Sequence, residues 1–345
     1  MPGRRKMFGR KDIGIDLGTA TIQVYVSGKG VMIREPSVLA IDRNTEEIIK
    51  YGKEAYGMIG RTPSNIQIIR PLKGGVVHEY EPTSRMIKYY LKSACGGLVI
   101  SPRVMICTPS STSDVEQKAV RDAALQAGAK EIYLIEEPLA AAFGAGIKVD
   151  DPTGHMIVDI GGGTTDIAVI VNGTVIVSDS IRTAGDKFNE SIARYVRQKY
   201  HLLIGEKTAE KLKIQIGWVF AHKHPSDTLA KGRCLDTGLP RAVNVTSFEM
   251  LEALAPPLGL ILARISDVLV RTPPEIVPEI FRNGIILTGG GSQLHGLPDL
   301  IRRMTGINTV LAKNPHDCVA IGTGIALQNL KHFRDQITDS RNSLR

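Results

Sequence analysis

Cysteine is scarce in this sequence and spaced without pattern. The four residues, Cys95, Cys107, Cys234 and Cys318, form no C-x-x-C pair. That spacing indicates neither a zinc site nor a redox couple, and reduced, mostly buried thiols are expected. Aromatic residues make up 5% of the chain, with a single tryptophan, Trp218. Basic residues such as Arg302 and Arg303 form no stripe interleaved with aromatics, which removes the case for nucleic acid. No apolar run approaches the ~20 residues of a membrane-spanning helix. The N-terminus lacks the apolar core of a signal peptide, since Met1 to Lys11 is short and carries Arg4, Arg5, Lys6, Arg10 and Lys11. A soluble cytoplasmic chain is the expectation. The Walker A loop is absent, and Gly161-x-Gly163 meets Asp166 where the Rossmann pattern needs its third glycine.

What is present reads as a globular mix. Of 345 residues, 43% are hydrophobic and 23% charged, and a chain of this length implies two domains or more. A formal net charge of +8, spread over such a length, is a solvated surface. Only its clustering in the N-terminal arm asks for a further reason.

Hydrophobic periodicity places strands at Ile13 to Ile15 and Gln23 to Val26, flanking a tight turn, with a second strand pair near Ile33 to Ile41. Tyr80 to Ala94 has helical spacing. Val104 to Cys107 and Ile132 to Ile135 are short buried strands. Ser113 to Ala127 is a helix with Ser113 as N-cap, Glu116 at the capping-box position and Gly128 as the stop. Pro138 to Gly144 opens a further helix. Thr208 to Phe220 is helical, Ala221 to Val245 has little pattern, and Ser247 to Val270 is helical again. Gly284 to Leu287 is a strand, and the polar tail from Arg334 to Arg345 is expected to fray.

One pattern occurs twice. Ile13-Gly14-Ile15-Asp16-Leu17-Gly18-Thr19 leads into a strand, and so does Met156-Ile157-Val158-Asp159-Ile160-Gly161-Gly162-Gly163-Thr164. An apolar strand ends at Asp, an apolar residue, glycine and a small residue. This is the mark of an internal duplication, two similar α/β halves facing each other. A third glycine turn, Gly289 to Ser292, follows the strand Gly284 to Leu287. Without a Cβ, a glycine turn lets backbone amides close on a phosphate. One such turn can simply make a hairpin. Three of them, two with Asp at the strand end, point to phosphate binding. Asp16 and Asp159 suit a hydrated magnesium ion, which keeps its waters and needs few carboxylates.

These residues resemble the motifs of the actin, Hsp70 and sugar-kinase superfamily. Ile15 to Thr19 is similar to its first phosphate loop and Asp159 to Asp166 to its second. Glu136-Glu137-Pro138 with Leu139 to Ala142 resembles its first connecting helix, Thr288 to Ser292 its adenosine loop, and Ala320 to Gly324 its second connecting helix. All five stand in the superfamily's order. Ile59 to Pro63, Arg70 to Val76 and Ile204 to Glu210 are similar to the MreB family of bacterial actins.

The resemblance implies an α/β, actin-like (ribonuclease H-like) duplicated fold, two lobes each with a smaller subdomain around a nucleotide cleft. It implies a basic arm over 1–11, subdomain IA over 12–34, 68–147 and 320–337, and IB over 35–67. It places IIA over 148–186 and 249–319, IIB over 187–248, and a polar tail over 338–345. ATP or ADP with Mg²⁺ is the implied cofactor. Gly18, Thr19, Ala20 and Thr21, with Gly161, Gly162, Gly163, Thr164 and Thr165, would cradle phosphates. Asp16 and Asp159 would hold magnesium through water. Glu137, helped by Thr164, would orient the attacking water. Glu210 and Lys213, on one helix face, would reach ribose and adenine, with Gly289, Gly290, Gly291 and Ser292 lining the adenine side.

The implied function is a membrane-associated, filament-forming ATPase that helps determine cell shape by organising lateral wall synthesis. Its partners would be itself in paired protofilaments, the anionic inner membrane and the wall-elongation machinery. The alternatives are an Hsp70-like or sugar-kinase-like ATPase, or a scaffold that does not hydrolyse ATP. Leu98, Val99 and Ile100, between small residues and Ser101-Pro102, resemble the family's membrane-inserting loop; the other reading packs them inward. The basic arm, with Met7 and Phe8, would favour anionic lipid beside it. His222-Lys223-His224 is read as an exposed loop rather than a metal site. Two departures from the family stand out. Ala20 is followed by Thr21-Ile22, and Asn189 occupies a position usually acidic.

Overall fold

The two copies of the repeated pattern fold alike. The computed structural model describes residues 11–96, 102–148, 150–220 and 223–330, with the backbone of 338–339. In the first half, Asp12–Leu17 runs antiparallel to Thr21–Val26, which pairs with Gly30–Pro36. On its other flank lie Arg103–Thr108 and then Glu131–Glu136, both parallel, with Thr338–Asp339 at the edge. In the second half, His155–Ile160 runs antiparallel to Thr165–Val171, which pairs with Thr174–Ile181. Its other flank holds Ile285–Thr288 and Thr309–Leu311, again parallel. Each half is thus three antiparallel strands followed by two parallel ones, and each sheet is the centre of a lobe.

The buried strands split their side chains between two cores because successive residues point to opposite faces. In Arg103–Thr108, Val104 and Ile106 enter the first-lobe core, while Met105 and Cys107 face the opposite way. Met156, Val158 and Ile160 enter the second-lobe core, while Ile157 faces the other side. Those outer faces meet a shared core around two helices, Glu137–Gly144 and Cys318–Gln328, which lie between the sheets. A Cβ on Gly322 would stand 1.7 Å from the Ala140 carbonyl oxygen, and one on Gly144 1.8 Å from that of Cys318. The helices cross in contact because both positions lack a side chain. Each large aliphatic side chain buried here contributes about 1.5–3 kcal/mol.

Two smaller sheets extend the lobes. Ile48–Tyr51, Leu39–Asp42 and Ile66–Ile69 form one. Leu202–Leu203, Asp227–Cys234 and Pro240–Thr246 form the other. The segment from Ala221 to Val245, read from sequence as weakly patterned, is therefore mostly a hairpin. Its strands bury only Ala230, Cys234, Val243 and Val245, too few for alternation to stand out. The strands near Ile33 and Ile41 do not pair with each other. Pro36 ends one, the Ser37 amide turns back to the Ala20 carbonyl at 2.9 Å, and Leu39–Asp42 joins the other sheet.

Helix boundaries follow local chemistry. Ser113 caps Asp114–Gln126 with the reciprocal Glu116 bond, and Gly128 takes φ +101° just beyond. The helix read as reaching Phe220 stops earlier, at Glu206–Ile216. Trp218 instead bridges to His295 and stacks on it at 5.1 Å. Ser247–Arg271 is one helix, long and apolar enough by composition to pass for a membrane span. No such run was expected from the sequence. Its stripe of Met250, Leu254, Leu258, Ile261, Ile265 and Val268 is buried in the second-lobe core. The Leu98–Ile100 loop, the arm before Lys11, His222 and the tail beyond Asp339 lie outside the described residues.

Candidate functional site

Both hairpin turns end at the seam between the lobes, because the turns sit at the same end of two sheets that face each other. There they close on one another. A Cβ on Gly162 would stand 2.3 Å from the Ala20 Cβ, and one on Gly163 2.4 Å from the Thr19 hydroxyl. The Thr19 hydroxyl also accepts the Gly75 amide at 2.7 Å. The Ser37 hydroxyl donates to the Gly18 carbonyl at 2.6 Å, fixing the first turn from behind.

Around these turns is a cavity of about 410 Å³. Its walls bring together Asp16, Gly18, Thr19, Ala20, Thr21, Glu137, Asp159, Gly161, Gly162, Gly163 and Thr164 from the lobe seam. Glu210, Lys213, Gly289, Gly290 and Gly291 complete the far end. Two residues expected there do not line it. The Thr165 hydroxyl is spent on the Thr183 carbonyl at 2.7 Å, and the Ser292 hydroxyl on the Gly289 carbonyl at 2.6 Å. Both hold loops rather than face the cavity.

The floor of the cleft is acidic. Asp16, Glu137 and Asp159 line it and are buried, and Asp166, which does not line the cavity, is buried close enough for its charge to act on Glu137. Burial pushes the carboxyls of Asp16 and Asp159 up to about 7 and that of Asp166 up to about 6. Glu137 is pushed well above the usual range, by burial first and then by the charges of Asp166, Asp159 and Asp16. Asp159 Oδ1 has no hydrogen-bond partner among the described residues. Ligand atoms of Asp16, Cys107 and Glu137 lie within 4.8 Å of one another. Burial and neighbouring carboxylates push the Cys107 thiol well up, so it stays protonated and donates to Asp16 Oδ1 at 3.6 Å. What remains is a set of hard oxygen donors, and it fits a divalent cation such as Mg²⁺.

Sequence reasoning did not assign Asp166, although it closes the quoted second loop. It stands across the hairpin from Asp159 and accepts the Ser110 amide of the first lobe at 3.1 Å. The Asp-x₆-Asp spacing around a turn was the available signal. Gln23, which donates to Asp16 Oδ2 at 3.4 Å, is its counterpart in the first hairpin. His316 also lines the cavity, held neutral by burial.

The duplicated sheets, the crossed connecting helices and the cleft with its paired glycine turns define an actin-like protein. The MreB/Mbl family model matches residues 10–335, and the chain belongs to that family of bacterial actins. It is 49% identical over 325 residues to the cell shape-determining protein Mbl of Bacillus cereus, covering 94% of this chain and 97% of that one. It is 44% identical over 330 residues to the cell shape-determining protein MreB of Escherichia coli, covering 94% and 95%. A solved structure of MreB5 of Spiroplasma citri bound to ADP superposes with a TM-score of 0.89 at 35% identity, covering 93% of this chain and 97% of that one. The same protein bound to AMPPNP gives 0.88. A MamK double helical filament shares the fold at 22% identity, with a TM-score of 0.78 and coverage of 94% and 99%.

Proposed function

We propose that this bacterial actin binds ATP with Mg²⁺ in the inter-lobe cleft, hydrolyses it, and assembles into paired filaments. It would do so in the cytoplasm, on the anionic inner face of the membrane. There it would help determine cell shape by organising lateral wall synthesis. The observation that carries the reading is the buried group of four carboxylates beneath two glycine turns in contact. At neutral pH such a group must either keep protons or take up a cation, and the amides of such turns donate hydrogen bonds to phosphate oxygens.

The residues divide the work. Thr19 to Thr21 and Gly161 to Thr164 supply amides and hydroxyls for the β- and γ-phosphates. Asp16 and Asp159 would hold a magnesium ion through water, and that ion would neutralise phosphate charge. Glu137, at the first turn of a helix entered through Pro138, is held rigidly and orients water for in-line attack, with Thr164 beside it. Thr165 and Ser292 keep their loops in place. Lys213 donates to the Gly185 carbonyl at 3.3 Å, with Glu210 one turn before it, at the base and sugar end. Relatives whose solved structures hold ADP and AMPPNP support a nucleotide here, and the MamK filament supports self-assembly.

The test is electron microscopy with ATP, with and without anionic vesicles, on the full chain and on a Leu98→Ser, Ile100→Ser variant. Filaments with both proteins, and vesicle decoration by the parent alone, are expected. No filaments in either condition would return the chain to a chaperone-like ATPase or a scaffold. Equal decoration by the variant would take the loop out of membrane binding.

A further inference from the structure

The lobes touch a second time, above the cavity. The helix Glu206–Ile216 of the second lobe meets the short helix Gly52–Met58 of the first. The Tyr56 hydroxyl donates to Glu210 Oε2, and Arg70 pairs with Glu206. Lys207 donates to the Gly57 carbonyl at 3.1 Å and stands 4.9 Å from the centre of the Tyr56 ring. Glu206, Glu210 and Lys213 are four and three residues apart and share one helix face. That face therefore runs from the rim of the seam, through Tyr56, down to the cavity wall.

Glu210 belongs to both places. It lines the nucleotide cavity and accepts the hydroxyl of a residue from the opposite lobe. A carboxylate has about four acceptor sites, so the phenol takes one and leaves others for hydroxyls of a ligand. The phenol remains a donor at neutral pH, since burial first and then Glu210 hold its proton more tightly than usual. An unrestrained Glu would lose rotamer freedom on meeting a ligand; one held by Tyr56 has already lost it.

We propose that Tyr56 is a positioning residue for nucleotide recognition: its hydroxyl fixes Glu210 from across the seam to accept a ribose hydroxyl, so that sugar recognition and lobe closure are one event. This rests on the reading of the cleft as an ATP site. It adds that the preference for a ribonucleotide depends on a residue that never touches the nucleotide. Arg70 and Glu206 hold the same seam, but Glu206 does not line the cavity, so they contribute closure without sugar preference.

The experiment measures affinity for ATP, 2′-deoxy-ATP and 3′-deoxy-ATP in the parent, Tyr56→Phe, Arg70→Gln and Glu210→Ala, with melting curves as a check of folding. The parent should prefer ATP to at least one deoxy analogue by about tenfold, the worth of a hydrogen bond to a charged group. Tyr56→Phe should lose most of that preference, weakening ATP about fivefold or more while leaving that analogue nearly unchanged. Arg70→Gln should weaken all three alike. In a Glu210→Ala background, which removes the acceptor of the phenol, Tyr56→Phe should add nothing. Equal weakening of all three nucleotides by Tyr56→Phe, or no effect on ATP, would overturn the proposal and leave the ATP site standing. A parent that binds ATP without sugar preference overturns it too. A parent that binds no ATP removes the reading of the cleft itself.

Discussion

Asp159 stands opposite Asp166 across the second hairpin, in the position where Asp16 stands opposite Gln23 in the first. The duplicated halves are therefore not equivalent in charge. The second half brings two carboxylates to the seam and the first brings one, with Glu137 added from the connecting helix. After burial, Asp166 is the charge that raises Glu137 most. Removing that charge should make Glu137 easier to ionise. In Asp166→Asn the acid limb of the ATPase pH profile should move down by roughly one unit. An unmoved limb would take Asp166 out of the charge balance.

Glu137→Ala should separate binding from chemistry. The phosphate loops and the Asp16–Asp159 pair are untouched, so nucleotide affinity should stay within about twofold, while hydrolysis falls roughly 10²-fold or more. Phosphate release under single-turnover conditions reads this directly. Unchanged release would return Glu137 to an ordinary helix-terminal charge.

The carboxylate group should also set how stability depends on pH. Folded-state values of about 7 for Asp16 and Asp159 lie above the ordinary unfolded value of about 3.9. Between those limits the folded state holds more protons than the unfolded one, so the stability these groups contribute falls as pH rises toward 7. In chelator without nucleotide, the contribution of these groups to the melting temperature should fall from about pH 5 to about pH 7 and level off above. Asp159→Asn should flatten the trend, and Mg²⁺ with ADP should largely abolish it. Calorimetry at pH 6.5 should show protons released as the magnesium nucleotide binds. Absence of release in two buffers of different ionisation enthalpy would count against a cation among these residues.

Contact between the two phosphate turns leads to a paired test. Gly162→Ala places a methyl group 2.3 Å from the Ala20 Cβ and should push the turns apart, an overpacking worth about 1–3 kcal/mol. Nucleotide affinity should fall about tenfold or more. Adding Ala20→Gly removes the colliding atom and should restore most of it. If the second change restores nothing, the turns do not act as one cradle.

Much of the site was legible because it is local in the chain. Each Asp-apolar-Gly turn is a few residues long, and its strand, turn and hairpin follow from apolar alternation and glycine. The residues missed are those whose role is set by distant neighbours. Asp166 matters because Ser110 and Glu137 come to it from the first lobe. Thr165 and Ser292 sit inside the right motifs but turn to backbone carbonyls. Which face of a strand looks into a cleft is settled by the sheet beside it.

By itself, the sequence determined the duplication, the three glycine turns, the capped helix after Ser113 and the apolar strands. All are short-range consequences of backbone sterics and side-chain period. Tertiary structure alone decided that both turns meet at one seam and that four buried carboxylates come to act on one another. It also decided that Tyr56 reaches Glu210 across 154 positions of chain. Those facts depend on how two sheets pack around a crossed pair of helices. Burial then changes the chemistry of groups that, on an open chain, would be ordinary charges.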